Sequence, residues 1–136
     1  MASSEQQNKA LMTAGLNLIA QALSIYDGDL RLRLCNLPFQ KMFNLPAHLT
    51  RPGASFEETI RHLARTGEYG MVDDVEAFVR DRVEQARAFQ PHYMERTRSN
   101  GHTISVEGSP LPEGGWVTVY TDISVTKRSE ELLSSR

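Results

Sequence analysis

A chain of 136 residues with 40% hydrophobic and 24% charged side chains has the length of one domain and enough apolar content to fold it, which excludes disordered, collagenous and polyelectrolyte classes. Fifteen Lys and Arg against 17 Asp and Glu leave a formal charge of -2, so no cationic surplus exists to displace counterions from phosphates, and a nucleic-acid partner is not expected. The single cysteine, Cys35, has no partner for an internal disulfide and no zinc-type spacing around it, the thiol usage of a reducing, cytoplasmic compartment.

Met1 to Gln7 is polar and lacks the basic and apolar regions of a secretory signal. No apolar stretch approaches the roughly 20 residues of a membrane span, so direct membrane insertion is not expected. From Glu5 to Leu23, the residues Met12, Leu16, Ile19 and Leu23 recur at spacings of four, three and four, which predicts an amphipathic helix over residues 1–23. At Ser24 the period shortens to two. Ile25 and Tyr26, the turn Asp27-Gly28-Asp29, and then Leu30, Leu32 and Leu34 alternating with polar residues read as a hairpin.

Asn36 stands before Leu37-Pro38-Phe39, where its side chain is placed to cap a short helix that tolerates proline in its first turn. Pro46 and Pro52-Gly53 punctuate the next stretch, and a second short helix is expected from Ser55 to Arg65. Thr66 to Gly70 reads as loop. A longer helix is expected from Asp74 to Phe89, with Val75, Phe78, Val79, Val83 and Ala86 on one face and Asp73 with Glu76 as a capping box. Pro91 ends it.

Three strands complete the core: His92 to Arg98, Thr103 to Ser109 and Trp116 to Ile123, joined by turns at Asn100-Gly101 and Pro112-Glu113-Gly114-Gly115. A two-residue Asn-Gly loop would set Thr97 opposite Ile104, Glu95 opposite Val106 and Tyr93 opposite Gly108. That register places Tyr93, Glu95, Thr97, Ile104 and Val106 on one face. It leaves His92, Met94, Arg96, Arg98, Thr103, Ser105 and Glu107 on a wetter one, with Arg96 in diagonal reach of Glu107. Trp116 to Thr121 is bulky on both sides, as in a central strand. Ser124 to Arg136 carries Val125, Leu132 and Leu133 and predicts an exit helix.

The order helix, two strands, short helices, longer helix, three-stranded meander and exit helix resembles the Per-Arnt-Sim (PAS) sensor domain. Asn36-Leu37-Pro38-Phe39 resembles that family's Asn-x-x-Phe opening, and the two Gly-containing turns fall where the family turns. Asp122-Ile123-Ser124 is similar to its Asp-Ile-Thr signature, with serine retaining the hydroxyl and losing a methyl contact, and Gly67-Glu68-Tyr69-Gly70 resembles a bacterial subgroup of sensory kinases. The resemblance implies an α+β fold: a five-stranded antiparallel sheet with short helices on one face, a core over residues 24–123, and signalling helices over 1–23 and 124–136. It also implies a histidine kinase as downstream effector in a two-component system.

No residue pattern marks a catalytic centre, and His48, His62, His92 and His102 are scattered without metal-binding spacing. Within the resemblance, haem is disfavoured because the longer helix carries no His, and flavin because Cys35 precedes Asn36 at a strand end instead of lying in the helical segment. No cofactor is expected, although an unknown small ligand is compatible with the fold. The expected pocket residues are Phe43, Tyr69, Tyr93, Glu95, Ile104 and Val106, with Asp122 and Ser124 as the relay into the exit helix and Asn36 as a structural cap. An inward Glu95 would need a polar partner. The stripe on the N-terminal helix offers a seam for a homodimer. Two alternatives stand beside a ligand sensor: a ligand-free dimerisation module packed solid by Phe39, Phe43, Phe78 and Tyr120, and a small enzyme with Glu95 and Tyr93 as acid and base.

Overall fold

A computed structural model describes residues 20–125 and the isolated positions 7, 11 and 15. The expected N-terminal and exit helices, with the proposed dimer seam, lie largely outside the described residues. Gln7, Leu11 and Gly15 are helical and exposed, and Ser124 and Val125 begin a helix.

Five antiparallel strands form one sheet in the order β2-β1-β5-β4-β3. Strand β1 (Ala22–Tyr26) lies between β2 (Leu32–Cys35) and β5 (Trp116–Asp122), while β4 (Thr103–Pro110) joins β5 to the edge strand β3 (His92–Thr97). The bulky strand β5 is central, as its two-sided apolar pattern requires. Strand β1 begins at Ala22, not Ser24: Leu23 completes a helical spacing in the sequence, yet it pairs with Val119 of β5. Ala22, Ser24 and Tyr26 are buried and alternate with half-buried Leu23 and Ile25, the period of a strand.

Helices α1 (Leu37–Phe43), α2 (Phe56–Arg65) and α3 (Val75–Arg87), with a 3-10 turn at Ala47–Leu49, fill the connection between β2 and β3. Phe39, Phe43 and Leu63 pack on Ala22, Ile104 and Val106, which closes the helices over one face of the sheet. Leu30, Ile60, Val79 and Val83 form a second cluster between α2 and α3, and Arg61 reaches Glu76 across these helices at 2.9 Å. Asp74, not Asp73, caps α3, accepting from the Ala77 N–H at 3.1 Å. The capping geometry joins a side chain to the N–H three residues on, and adjacent aspartates offer two registers for it.

Asn36 does more than cap. At 2% exposure its Oδ1 accepts from the Phe39 N–H at 3.1 Å and from the Leu23 N–H at 2.9 Å, and its Nδ2 donates to the Gln21 carbonyl at 2.9 Å. One buried amide therefore fastens α1 to the start of β1.

The β3-β4 register differs by one residue from the two-residue-loop expectation. Arg98 N–H donates to the His102 carbonyl at 2.7 Å and Gly101 N–H to the Arg98 carbonyl at 2.9 Å, so the loop is the three residues Ser99, Asn100 and Gly101, with Gly101 at φ 88°. A three-residue loop ending in a left-handed glycine is the other common hairpin closure. Met94 then faces Val106, Arg96 faces Ile104 and Glu95 faces Ser105. Because side chains alternate with period two, this shift exchanges the faces of β3: His92, Met94, Arg96 and Arg98 turn toward the helices, and Tyr93, Glu95 and Thr97 turn away.

A cavity between the third helix and the sheet

The helix-covered face of the sheet does not close completely beneath α3. A cavity of about 480 Å³ remains, within the roughly 300–1,000 Å³ of sites that take small organic molecules. Val106, Trp116, Thr118 and Tyr120 form its floor on β4 and β5, and Phe56 and Ile60 of α2 form one wall. Arg82, Gln85 and Ala86 of α3 face the β3 residues His92, Met94 and Arg96 across the remainder, with Tyr69 from the loop after α2.

Gly108 shapes the floor. A Cβ there would come within 2.3 Å of the Trp116 ring and 2.7 Å of the His92 ring, so only glycine lets these side chains lie over the strand. His92 stacks on Trp116 with centroids 5.2 Å apart, and the indole N–H donates to Thr118 Oγ1 at 2.9 Å. Burial pushes the Tyr120 hydroxyl well above its ordinary range and raises that of Tyr69 against the nearby Arg96 and Arg82, so both remain neutral donors.

Beside the cavity stands an ion cluster. Glu68, 8% exposed, accepts from Arg96 Nη1 at 2.9 Å, from Arg98 Nη2 at 2.9 Å and from Arg98 Nε at 2.9 Å. Arg98 also donates to the Met42 carbonyl at 2.6 Å, tying the end of β3 to both α1 and the loop after α2. Burial raises the Glu68 pKa, and the hydrogen bonds from Arg98 and Arg96 outweigh it, so the carboxyl titrates below its ordinary range.

At the far end of β5, Asp122 Oδ1 accepts from the Ser124 N–H at 3.0 Å and its Oδ2 lies 2.9 Å from His102 Nδ1. The Ser124 hydroxyl accepts from the Thr103 N–H at 2.9 Å. Hydrogen bonds from Ser124, with a smaller contribution from His102, hold the Asp122 carboxyl below its usual value. The start of the exit helix is thus pinned to β4 as well as β5. The side chain paired with Asp122 is His102, brought opposite by the β4-β5 pairing, and no Arg or Lys meets this carboxylate among the described residues.

A family model described as PAS fold matches residues 16–131. The chain belongs to the PAS fold family. Sensor protein DivL of Caulobacter vibrioides is 25% identical over 124 residues, 90% of this chain and 16% of DivL. This PAS domain therefore spans about a sixth of the curated relative it matches. The PAS domain of Bordetella pertussis BvgS superposes with a TM-score of 0.62 at 16% identity, covering 96% of this chain and 99% of that one. A domain of a sensory box sensor histidine kinase/response regulator from Geobacter sulfurreducens superposes at 0.51 with 15% identity, covering 88% and 97%. These two structures share the fold.

Of the expected pocket residues, Tyr69 and Val106 line the cavity. Phe43 and Ile104 are buried in the adjacent core, where Phe43 packs edge-on against Tyr120 at 5.0 Å. Tyr93 and Glu95 are not pocket residues. The shifted register puts them on the opposite face, where Tyr93 is 60% exposed and its hydroxyl donates to Glu95 Oε2 at 2.8 Å. Among the described residues no cavity encloses an acid-base pair on that face, which is not the pocket the enzyme alternative assumed. Arg96 likewise pairs with Glu68, not Glu107. Trp116, His92, Met94, Arg82 and Arg96 line the cavity without having been expected there; the glycine of Ser-Asn-Gly, taken as the end of a three-residue loop, is the signal that turns β3 correctly. Cys35 is half-buried, donates to the Thr50 carbonyl at 3.5 Å, and has its thiol pKa raised by burial, the state of a packing residue.

Proposed function

We propose that this PAS domain is a cytoplasmic sensory module, not itself an enzyme, in which a small molecule in the cavity under α3 biases the junction at Asp122, His102 and Ser124 and so the exit helix. The cavity carries this reading: its floor is β4 and β5, the two strands whose far ends hold that junction. A ligand that wedges Trp116 and Tyr120 from the helices acts on the same strand that delivers Asp122. A coupling of about 1–3 kcal/mol shifts such a two-state equilibrium several-fold.

A histidine kinase is the effector we propose, supported by the name of the Geobacter sensor histidine kinase/response regulator and in keeping with that of the sensor protein DivL, with the chain acting as a homodimer through its N-terminal helix. The core of Phe39, Phe43 and Tyr120 is tightly packed, as a ligand-free docking module would have it, but α3 stands off the sheet beside that core. The test joins the chain through its exit helix to a histidine-kinase transmitter and follows autophosphorylation with and without a host small-molecule extract. The wild-type domain should change the rate and Asp122→Ala should flatten the response; an equal response in both would remove the junction from the mechanism.

A further inference from the structure

The charge around the cavity is one-sided. Arg82 and Arg96 line it, and none of its lining residues is acidic. The carboxylate that Arg96 pairs with, Glu68, has both oxygens occupied by Arg98 and by one nitrogen of Arg96. Two guanidinium groups thus share that carboxylate, and the third, Arg82, has none among the described residues. Arg82 lies 5.0 Å from the Phe78 centroid and 5.4 Å from that of Tyr69, and among the described residues it has no ion pair or hydrogen bond. Arg96 lies 5.0 Å from the same Tyr69 ring and keeps Nε and Nη2 without a hydrogen bond among the described residues.

Stacking on an aromatic face holds a guanidinium plane still and leaves its N–H edges available, an arrangement suited to an oxyanion that accepts two N–H bonds side by side. Between the arginines and the floor the surface is apolar, made by Ile60, Phe56, Val106 and Trp116. A neutral molecule filling this space would strip water from the Arg82 N–H groups and return nothing, whereas an anion would satisfy them in a low-dielectric setting.

We infer that the cavity takes an organic anion with an apolar body, a carboxylate or sulfonate whose head meets Arg82 and the free edge of Arg96 and whose body lies over Val106 and Trp116. The inference rests on the sensory reading of the cavity and adds the chemical class of its ligand.

Two fluorescent probes with one scaffold test it on the intact chain: 1-anilinonaphthalene-8-sulfonate, which is anionic, and N-phenyl-1-naphthylamine, which lacks the sulfonate. The anionic probe should bind tighter. Arg82→Gln should weaken it about tenfold, as expected for loss of a charge-assisted hydrogen bond, and leave the neutral probe unchanged, while Arg82→Lys, which keeps the charge and loses the stacked fork, retains only part of the difference. Ala86→Phe, or Ala88→Phe at the exposed end of α3 should the first not fold, should remove both probes. Equal binding of the two probes, or no effect of Arg82→Gln, overturns the anion assignment and leaves the cavity as a site. Failure of both probes to bind, or binding unaffected by either filling substitution, overturns the cavity reading and the anion with it.

Discussion

Asn36→Ala removes, among its contacts, two in which the side chain accepts and one in which it donates, from a site that is 2% exposed. The Phe39 N–H keeps a longer bond to the Asn36 carbonyl at 3.2 Å, so its loss is that of an ordinary helix cap, about 1 kcal/mol. The Leu23 N–H, in a part-buried site, loses its side-chain acceptor, which costs about 1–3 kcal/mol for a donor left unsatisfied. Gln21 is exposed and its carbonyl turns to water at little cost. The sum is about 2–4 kcal/mol, a large part of the roughly 5–15 kcal/mol that holds a domain folded. Asn36→Ser separates the two contributions, because its shorter hydroxyl reaches the cap position but not Leu23; it should recover about 1 kcal/mol of the loss. Urea unfolding followed through the fluorescence of the one tryptophan, Trp116, measures both, with the slope against urea unchanged. A loss below about 1 kcal/mol in the alanine variant, or wild-type stability in the serine variant, would refute the argument that this amide fastens α1 to β1.

Gly108→Ala should cost about 1–3 kcal/mol by overpacking and shift Trp116 emission to the red as the ring leaves the His92 stack; unchanged emission would contradict the close approach. Glu68→Gln should lose about 3 kcal/mol at pH 7 by leaving Arg96 and Arg98 without their shared anion. Since the folded Glu68 pKa is lowered, its stabilisation is complete above the unfolded value of about 4.3 and is lost as pH falls through the lower folded one, so the gap to wild type should narrow progressively as the pH falls below about 4.3. A gap that persists unchanged at pH 3 would count against the ion cluster. Asp122→Ala should change stability by no more than about 1 kcal/mol, because the carboxylate is exposed, while removing response to ligand in the kinase fusion; unfolding would show the junction to be structural only.

The elements that were legible in the sequence are those with strong periods or a single chemical solution. The face of Val75, Val79, Val83 and Ala86 identifies α3, and two-sided bulk identifies β5 as central. The family is carried by the order of motifs along the chain and not by any one of them. The errors come from degenerate local chemistry. Asn100-Gly101 closes hairpins with two residues or three, and in Tyr93 to Thr97 the single apolar pair that separates the registers, Met94 opposite Val106, is a weak signal beside the charged and polar residues around it. That ambiguity moved Glu95 and Tyr93 into the pocket and Arg96 out of it. Leu23 satisfies a helical stripe and a strand alternation equally, and sheet pairing with Val119 decides it. The acceptor role of Asn36 toward Leu23 depends on a contact across 13 positions of chain, which a local pattern does not encode.

Native mass spectrometry of the chain purified from its own host addresses the cavity most directly. The wild-type protein should carry a non-covalent small molecule that is released on denaturation, and Ala86→Phe should fly at the bare polypeptide mass. A folded wild-type chain at its bare mass, indistinguishable in occupancy from Ala86→Phe under conditions that keep weak complexes intact, would contradict a ligand seated between α3 and the sheet.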